Sequence, residues 1–232
     1  MRRLADPVAF VMYVDNSYMR SRTSFTVVRV HWDRLFEDLE GQLASEWESE
    51  RAALDAESER LRISRLELRS RLRVLCASAA PATLDLPGGA RVRARLNALG
   101  SDWIAATIAQ AEESRTTRST VIVPLHALRG LTVDHGLLLS SLDEEDDPAP
   151  VLRERMSLGF VLRDLARRRV PVRIVSVDAS DLHGTIDRAG ADHLDLALHD
   201  PGEARTASAV RAFQIIPFAA VTSVQTAGDQ MP

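Results

Sequence analysis

From His31 to about Leu72, apolar residues recur at three- and four-residue steps among Asp, Glu and Arg: Trp32, Leu35, Phe36, Leu39, Leu43 and Trp47. That spacing runs one apolar stripe down an α-helix. The stripe continues more thinly through Leu54, Leu61 and Leu68, with Glu50, Glu57 and Ser64 at or near the positions between them. Seven-residue spacing fits either a coiled-coil seam, half of it polar, or a long helix lying on the chain's own domains. Gly41 is a point at which such a helix can bend.

After Arg73 the pattern changes to short apolar runs: Ala82–Leu86, Val92–Leu96, Trp103–Ile108 and Val121–Leu125, with Pro87-Gly88-Gly89 as a turn. These predict strands of an antiparallel sheet, and the polar stretch from Glu112 to Ser119 predicts an exposed hairpin loop. Asp143-Glu144-Glu145-Asp146-Asp147-Pro148 is an acidic run and reads as a solvated linker. Beyond it, Met156, Phe160, Leu162 and Leu165 predict a helix ending in Arg167-Arg168-Arg169, where positive charge suits a helix C-terminus and Pro171 forbids continuation. Strands are expected again at Val172–Val177, Leu182–Ile186, His193–Leu198, Phe213–Phe218 and Val221–Val224.

The two strand regions repeat each other. The segment from Val92 through Leu96, Gly100 and Asp102 to Ile104 matches Leu182, Ile186, Gly190, Asp192 and Leu194 at a constant offset of 90. Ile122-Val123-Pro124-Leu125 then matches Ile215-Ile216-Pro217-Phe218 at an offset of 93, so the second copy carries three more residues in a loop. Self-similarity of this kind reports architecture. Gly100 and Gly190 are expected in a positive-φ turn, with Asp102 and Asp192 accepting from turn amides and Pro124 and Pro217 at a strand edge or bend.

A helix, an apolar strand, the text Gly184-x-Ile186-x-x-x-Gly190-x-Asp192-x-Leu194 and a last strand carrying Pro together resemble the Sm-like (SH3-like) family of small five-stranded barrels. The resemblance covers roughly residues 55–133 and 151–226. It implies an α+β chain with a long N-terminal helix followed by two tandem barrels, each preceded by a helix. The implied boundaries are a tail at 1–29, the helix at 30–72, a first barrel at 73–133, the acidic linker at 134–150, a second barrel with its leading helix at 151–226 and a tail at 227–232. It also implies a single-stranded RNA ligand and ring assembly. The family's RNA-contacting pairs are not matched: Gly190 and Leu194 stand at the first, and Ile215-Ile216-Pro217-Phe218 at the second.

Composition narrows this further. At 232 residues and 45% hydrophobic content the chain can bury a core. Its net charge of −4 gives no global attraction to a polyanion, and all 29 basic residues are Arg, which reads first as codon bias. Aromatic residues make up only 5%, so stacking platforms are scarce. The nucleic-acid candidates are therefore local: Arg91, Arg93 and Arg95 alternating on one strand face near Trp103, and the cluster Arg167, Arg168, Arg169. His193, Asp195 and His199 are a weak metal candidate on the face opposite Leu194, Leu196 and Leu198, and His183 with Asp187 is weaker still. The single cysteine, Cys76, lies in an apolar run and reads as a core residue in a reducing compartment. No catalytic motif is present and nothing calls for a cofactor. The run Val8–Val14, bracketed by Asp6 and Asp15, is too short for an export signal, and no stretch has the length of a membrane span. Residues 1–29 are expected to be a tail or a start upstream of the folded protein. The expectation is a non-enzymatic cytoplasmic binding module for single-stranded RNA or DNA. The alternative is a protein-interaction or scaffolding protein, self-associating through the 31–72 helix or holding another protein.

Overall fold

The computed structural model describes residues 32–112, 115–143, 152–203 and 205–227, with side chains outside 32–35 and 109–118. The tail 1–29, the acidic residues from Glu144 to Pro148 and the last residues from 228 lie outside these. The chain divides into two compact units, 1–57 and 58–232. In the first, helix α1 (Trp32–Ser64, continuing into the second unit) carries the expected stripe, and Phe36, Leu39, Leu43 and Trp47 are all exposed on it. The helix is not continuous to Leu72: it ends at Ser64, and Leu68, the last residue of the seven-residue series, opens a separate helix, α2 (Leu68–Ala77).

The second unit is a single antiparallel sheet of ten strands. In chain order they are β1 (Pro81–Asp85), β2 (Arg91–Leu99), β3 (Trp103–Glu112), β4 (Arg115–Pro124), β5 (Gly130–Thr132), β6 (Pro171–Ser176), β7 (Asp181–Ala189), β8 (His193–Leu198), β9 (Ala212–Pro217) and β10 (Val221–Ala227). In space they run β5-β1-β2-β3-β4-β10-β6-β7-β8-β9. This overturns the expectation of two closed five-stranded barrels. Closing the first half would require β4 to pair with β5, and closing the second would require β9 to pair with β10. Instead β4 and β10 pair with each other, in the register Ile122↔Val224 and Val121↔Gln225, and the sheet stays open.

The repeat extends through the whole of each half. Helix α2 buries Leu72, Leu75 and Cys76 at helical spacing, and helix α4 (Leu158–Arg167) buries Leu158, Val161, Leu162 and Leu165. Both helices end in a residue of positive φ, Ala79 and Arg169, two residues before the proline that opens the next strand. The strand β5 has no counterpart among the predicted strands, because three residues are too few to show alternation. Nor is Glu112–Ser119 simply a loop: β3 runs to Glu112 and β4 starts at Arg115, lengthening the hairpin.

Two cores lie within this unit. One joins α2 to Leu84, Leu96, Ile104, Ala106, Val121 and Val123. The other joins α4 to Ile174, Ile186, Leu194, Leu196 and Val224, and it also takes in Trp103, Ala105 and Ile122 from the first half. Strands β3 and β4 are thus buried on both faces. Their unbroken apolar runs, Trp103–Ala106 and Val121–Val123, are the sequence form of that environment.

The paired glycines serve closeness rather than backbone freedom. Neither Gly100 nor Gly190 has a positive φ, contrary to expectation, but a Cβ on Gly100 would lie 2.1 Å from the Trp103 ring and one on Gly190 2.8 Å from the His193 ring. In each turn the glycine N–H donates to the carbonyl of the residue bearing that ring, at 2.8 Å in both copies. Gly100→Ala is therefore expected to cost about 1–3 kcal/mol by overpacking a ring that cannot move. Gly190→Ala should cost clearly less, because His193 is partly exposed and can swing aside. Urea denaturation of both variants checks this, and equal losses would refute it.

Candidate functional site

The arginine face forms as alternation along β2 requires: Arg91, Arg93 and Arg95 are exposed while Ala94 and Leu96 enter the core. Arg91 and Arg93 line a groove of about 590 Å³ together with Thr83, Val92, Ile108, Thr132 and Gln225. Arg91 is paired with Asp85 at 3.0 Å. Arg93 has no carboxylate partner among the described residues. Arg95 points elsewhere and donates to the Ala79 carbonyl at 3.4 Å. Beside the groove, the Arg173 guanidinium donates to the Gln225 side-chain oxygen at 3.2 Å and to both oxygens of Asp181, holding that carboxyl below the usual carboxylate range.

The other nucleic-acid candidates do not join this face. Trp103 is fully buried, and its indole N–H donates to the Met156 carbonyl at 2.9 Å, so it offers no stacking surface. Its burial follows from the second half lying over it. Arg167 and Arg168 both pair with Asp164, and Arg169 pairs with Asp187 at 2.9 Å, five strand positions from β2. The Asp187 carboxyl is held below the usual range chiefly by Arg205, with Arg169 adding to it.

The metal candidate disperses. His193 Nδ1 is 2.8 Å from Asp192 Oδ1, and Asp195 faces Arg188. His199 is buried beyond the end of β8, where alternation has lapsed, with Nε2 2.9 Å from Thr185 Oγ1 and Nδ1 3.0 Å from the Asp200 carbonyl. Among the described residues no group of three His, Cys, Asp or Glu side chains could hold a metal ion. His183 lies near Asp181, at 3.7 Å, and the expected pair with Asp187 is not made. Asp102 turns out to reach across the repeat. Its carboxylate accepts from the Leu158 N–H at 2.7 Å, at the start of α4, instead of closing its own turn.

A surface absent from the sequence expectations lies at the far end of the sheet. Strand β9 pairs only with β8, so its second edge is open. Ile215 there is 70% exposed and Phe213 63%, whereas their repeat equivalents Ile122 and Thr120 on β4 are 0% exposed because β10 covers them. The signal was available: Ala212–Pro217 has no charged residue, and charge is the usual guard of an edge strand. With this geometry established, no family model, no curated protein and no solved structure matches the chain. No helix among the described residues is long and apolar enough to cross a membrane.

Burial pushes the Cys76 thiol up to about 12, with the Glu154 charge adding to it. Because the folded value lies above the ordinary 9.0, stability from this group is complete below pH 9 and is lost as the pH rises from 9 toward 12. Native protein at pH 8 is expected to leave Cys76 unmodified by a thiol-specific chromogenic disulfide, with full reaction in denaturant. Rapid native labelling would contradict this burial.

Proposed function

We propose that this chain is a non-enzymatic protein-binding module that takes up an extended strand along the open edge of β9. The observation that carries the reading is Ile215, 70% exposed on an uncharged edge strand while its repeat equivalent Ile122 is sealed by β10. An open, apolar, unguarded edge is a template for β-strand addition: backbone hydrogen bonds supply affinity, and alternate side chains supply selectivity. The exposed stripe of α1 is a second apolar surface of the kind that scaffolding uses, and the single buried thiol suits a reducing cytoplasm. Peptides selected from a displayed library against the full chain are expected to show alternating apolar positions and to lose at least about tenfold in affinity on Ile215→Glu, one strand's apolar anchor. Since residue 215 is exposed, the variant should fold. A selection whose peptides ignore residue 215 would sink the reading.

A second reading, single-stranded nucleic acid, is favoured by one observation: the groove holding Arg91 and unpaired Arg93 beside Gln225. It is the weaker one, because Trp103 is buried and the remaining arginine cluster is neutralised by carboxylates. Fluorescence anisotropy of a labelled random-sequence RNA should show binding that weakens with salt and falls on Arg93→Gln. Salt-independent or absent binding at low ionic strength removes this reading.

A further inference from the structure

We infer that the strand received by β9 is the β5 edge of a second copy of this chain, paired antiparallel with Ile215 opposite Leu131 and Gln214 opposite Thr132. The inference rests on the protein-binding reading and names its partner. Its template is the joint already made inside the chain, where β4 meets β10.

The outer surfaces of the two halves are the separated sides of that joint. On the second half, Ile215 is open where Ile122 is sealed. On the first half, Leu68 is 57% exposed where its equivalent Leu158 is 3%, and Leu131 is half-buried where its equivalent Val224 is fully buried. Strand β5 also lies on β1 in the register that β10 uses on β6: Leu84↔Leu131 and Thr83↔Thr132 correspond to Ile174↔Val224 and Arg173↔Gln225. Carrying the internal pairs Ile122↔Val224 and Val121↔Gln225 through the repeat offset gives the stated register directly. Both strands end the sheet, so each has one edge to offer. A two-fold pairing of β9 with β9 would leave Leu68 and Leu131 uncovered, and this favours the head-to-tail arrangement.

The joint between copies differs from the internal one in a way that sets its strength. Where the internal joint buries Trp103 and Ala105, the outer face of the second half presents His193 and Asp195. It keeps the apolar pair Phe213 and Ile215 but is wetter around them, so association is reversible and dependent on concentration. Head-to-tail contact leaves the same two edges free at each end, so copies add until they close a ring or continue as a filament.

Directly opposed residues of antiparallel strands have Cα atoms about 4.5–5.5 Å apart, within disulfide reach. Full-length Thr132→Cys and Gln214→Cys chains, each exposed at the new thiol, are mixed under mild oxidation and run on a non-reducing gel beside the parent chain, whose Cys76 is buried. The expected result is a disulfide dimer that depends on mixing the two variants, with sedimentation of the parent chain showing growth with concentration that Ile215→Glu abolishes. Equal dimer from Gln214→Cys alone would show β9 meeting β9 and overturn the inference. A chain monomeric at the highest attainable concentration, yet still binding peptides that depend on residue 215, overturns self-pairing and leaves the protein-binding reading standing. A monomer with no such peptides overturns both.

Discussion

The pairing of β4 with β10 decides the form of the rest of the molecule. Each strand has two edges, and once Ile122 lies beside Val224 neither β4 nor β10 has an edge left with which to close its own half. The sheet must then remain open, and its ends must be β5 and β9. The same contact explains the burial of Trp103, Ala105 and Ile122 in the core of the other half. It is reinforced at the Trp103 turn, where the Met156 carbonyl accepts from the Ser101 N–H and the Trp103 indole, and Asp102 accepts from the first turn of α4.

The repeat makes this one contact informative about everything that lacks it. Two copies of one fold unit sit in unlike surroundings, so each pair of equivalent residues compares the same position with and without a neighbour. Trp103 against His193 and Ala105 against Asp195 show side chains matched to those surroundings, apolar where covered and polar where open. Phe213 and Ile215 break that match: they sit in the open copy and remain apolar. Matching of side chain to environment is the rule in a consistent sequence, and positions that violate it concentrate where the structure does something besides fold.

Much of the architecture was legible in the sequence because the repeat doubled each signal. Pro81 and Pro171, Gly100 and Gly190, and Pro124 and Pro217 mark equivalent places, and the strands fall where the apolar runs put them. What could not be read was which strand takes the second edge of β4, because that pairing spans about a hundred residues and leaves no local pattern. The glycine pair was misread for a related reason: sequence shows that a side chain is forbidden at residue 100 but not whether backbone conformation or the nearby ring of Trp103 forbids it. The alternating arginines of β2 were legible as a solvent face, but their carboxylate partners come from other strands. The unbroken apolar runs Trp103–Ala106 and Val121–Val123 did carry the sign of burial on both faces, and that sign points to the covered location of Trp103.

The residues joining the two halves lie between Asp143 and Leu152, outside both sides of the β4 and β10 contact. The bond between the halves is therefore noncovalent in substance, with the peptide link acting as a tether that raises their local concentration. A chain nicked in that stretch is a pair of complementary fragments, and the ordering of the halves along the gene is a convenience of synthesis: the same assembly is open to circular permutation or to two separately encoded proteins.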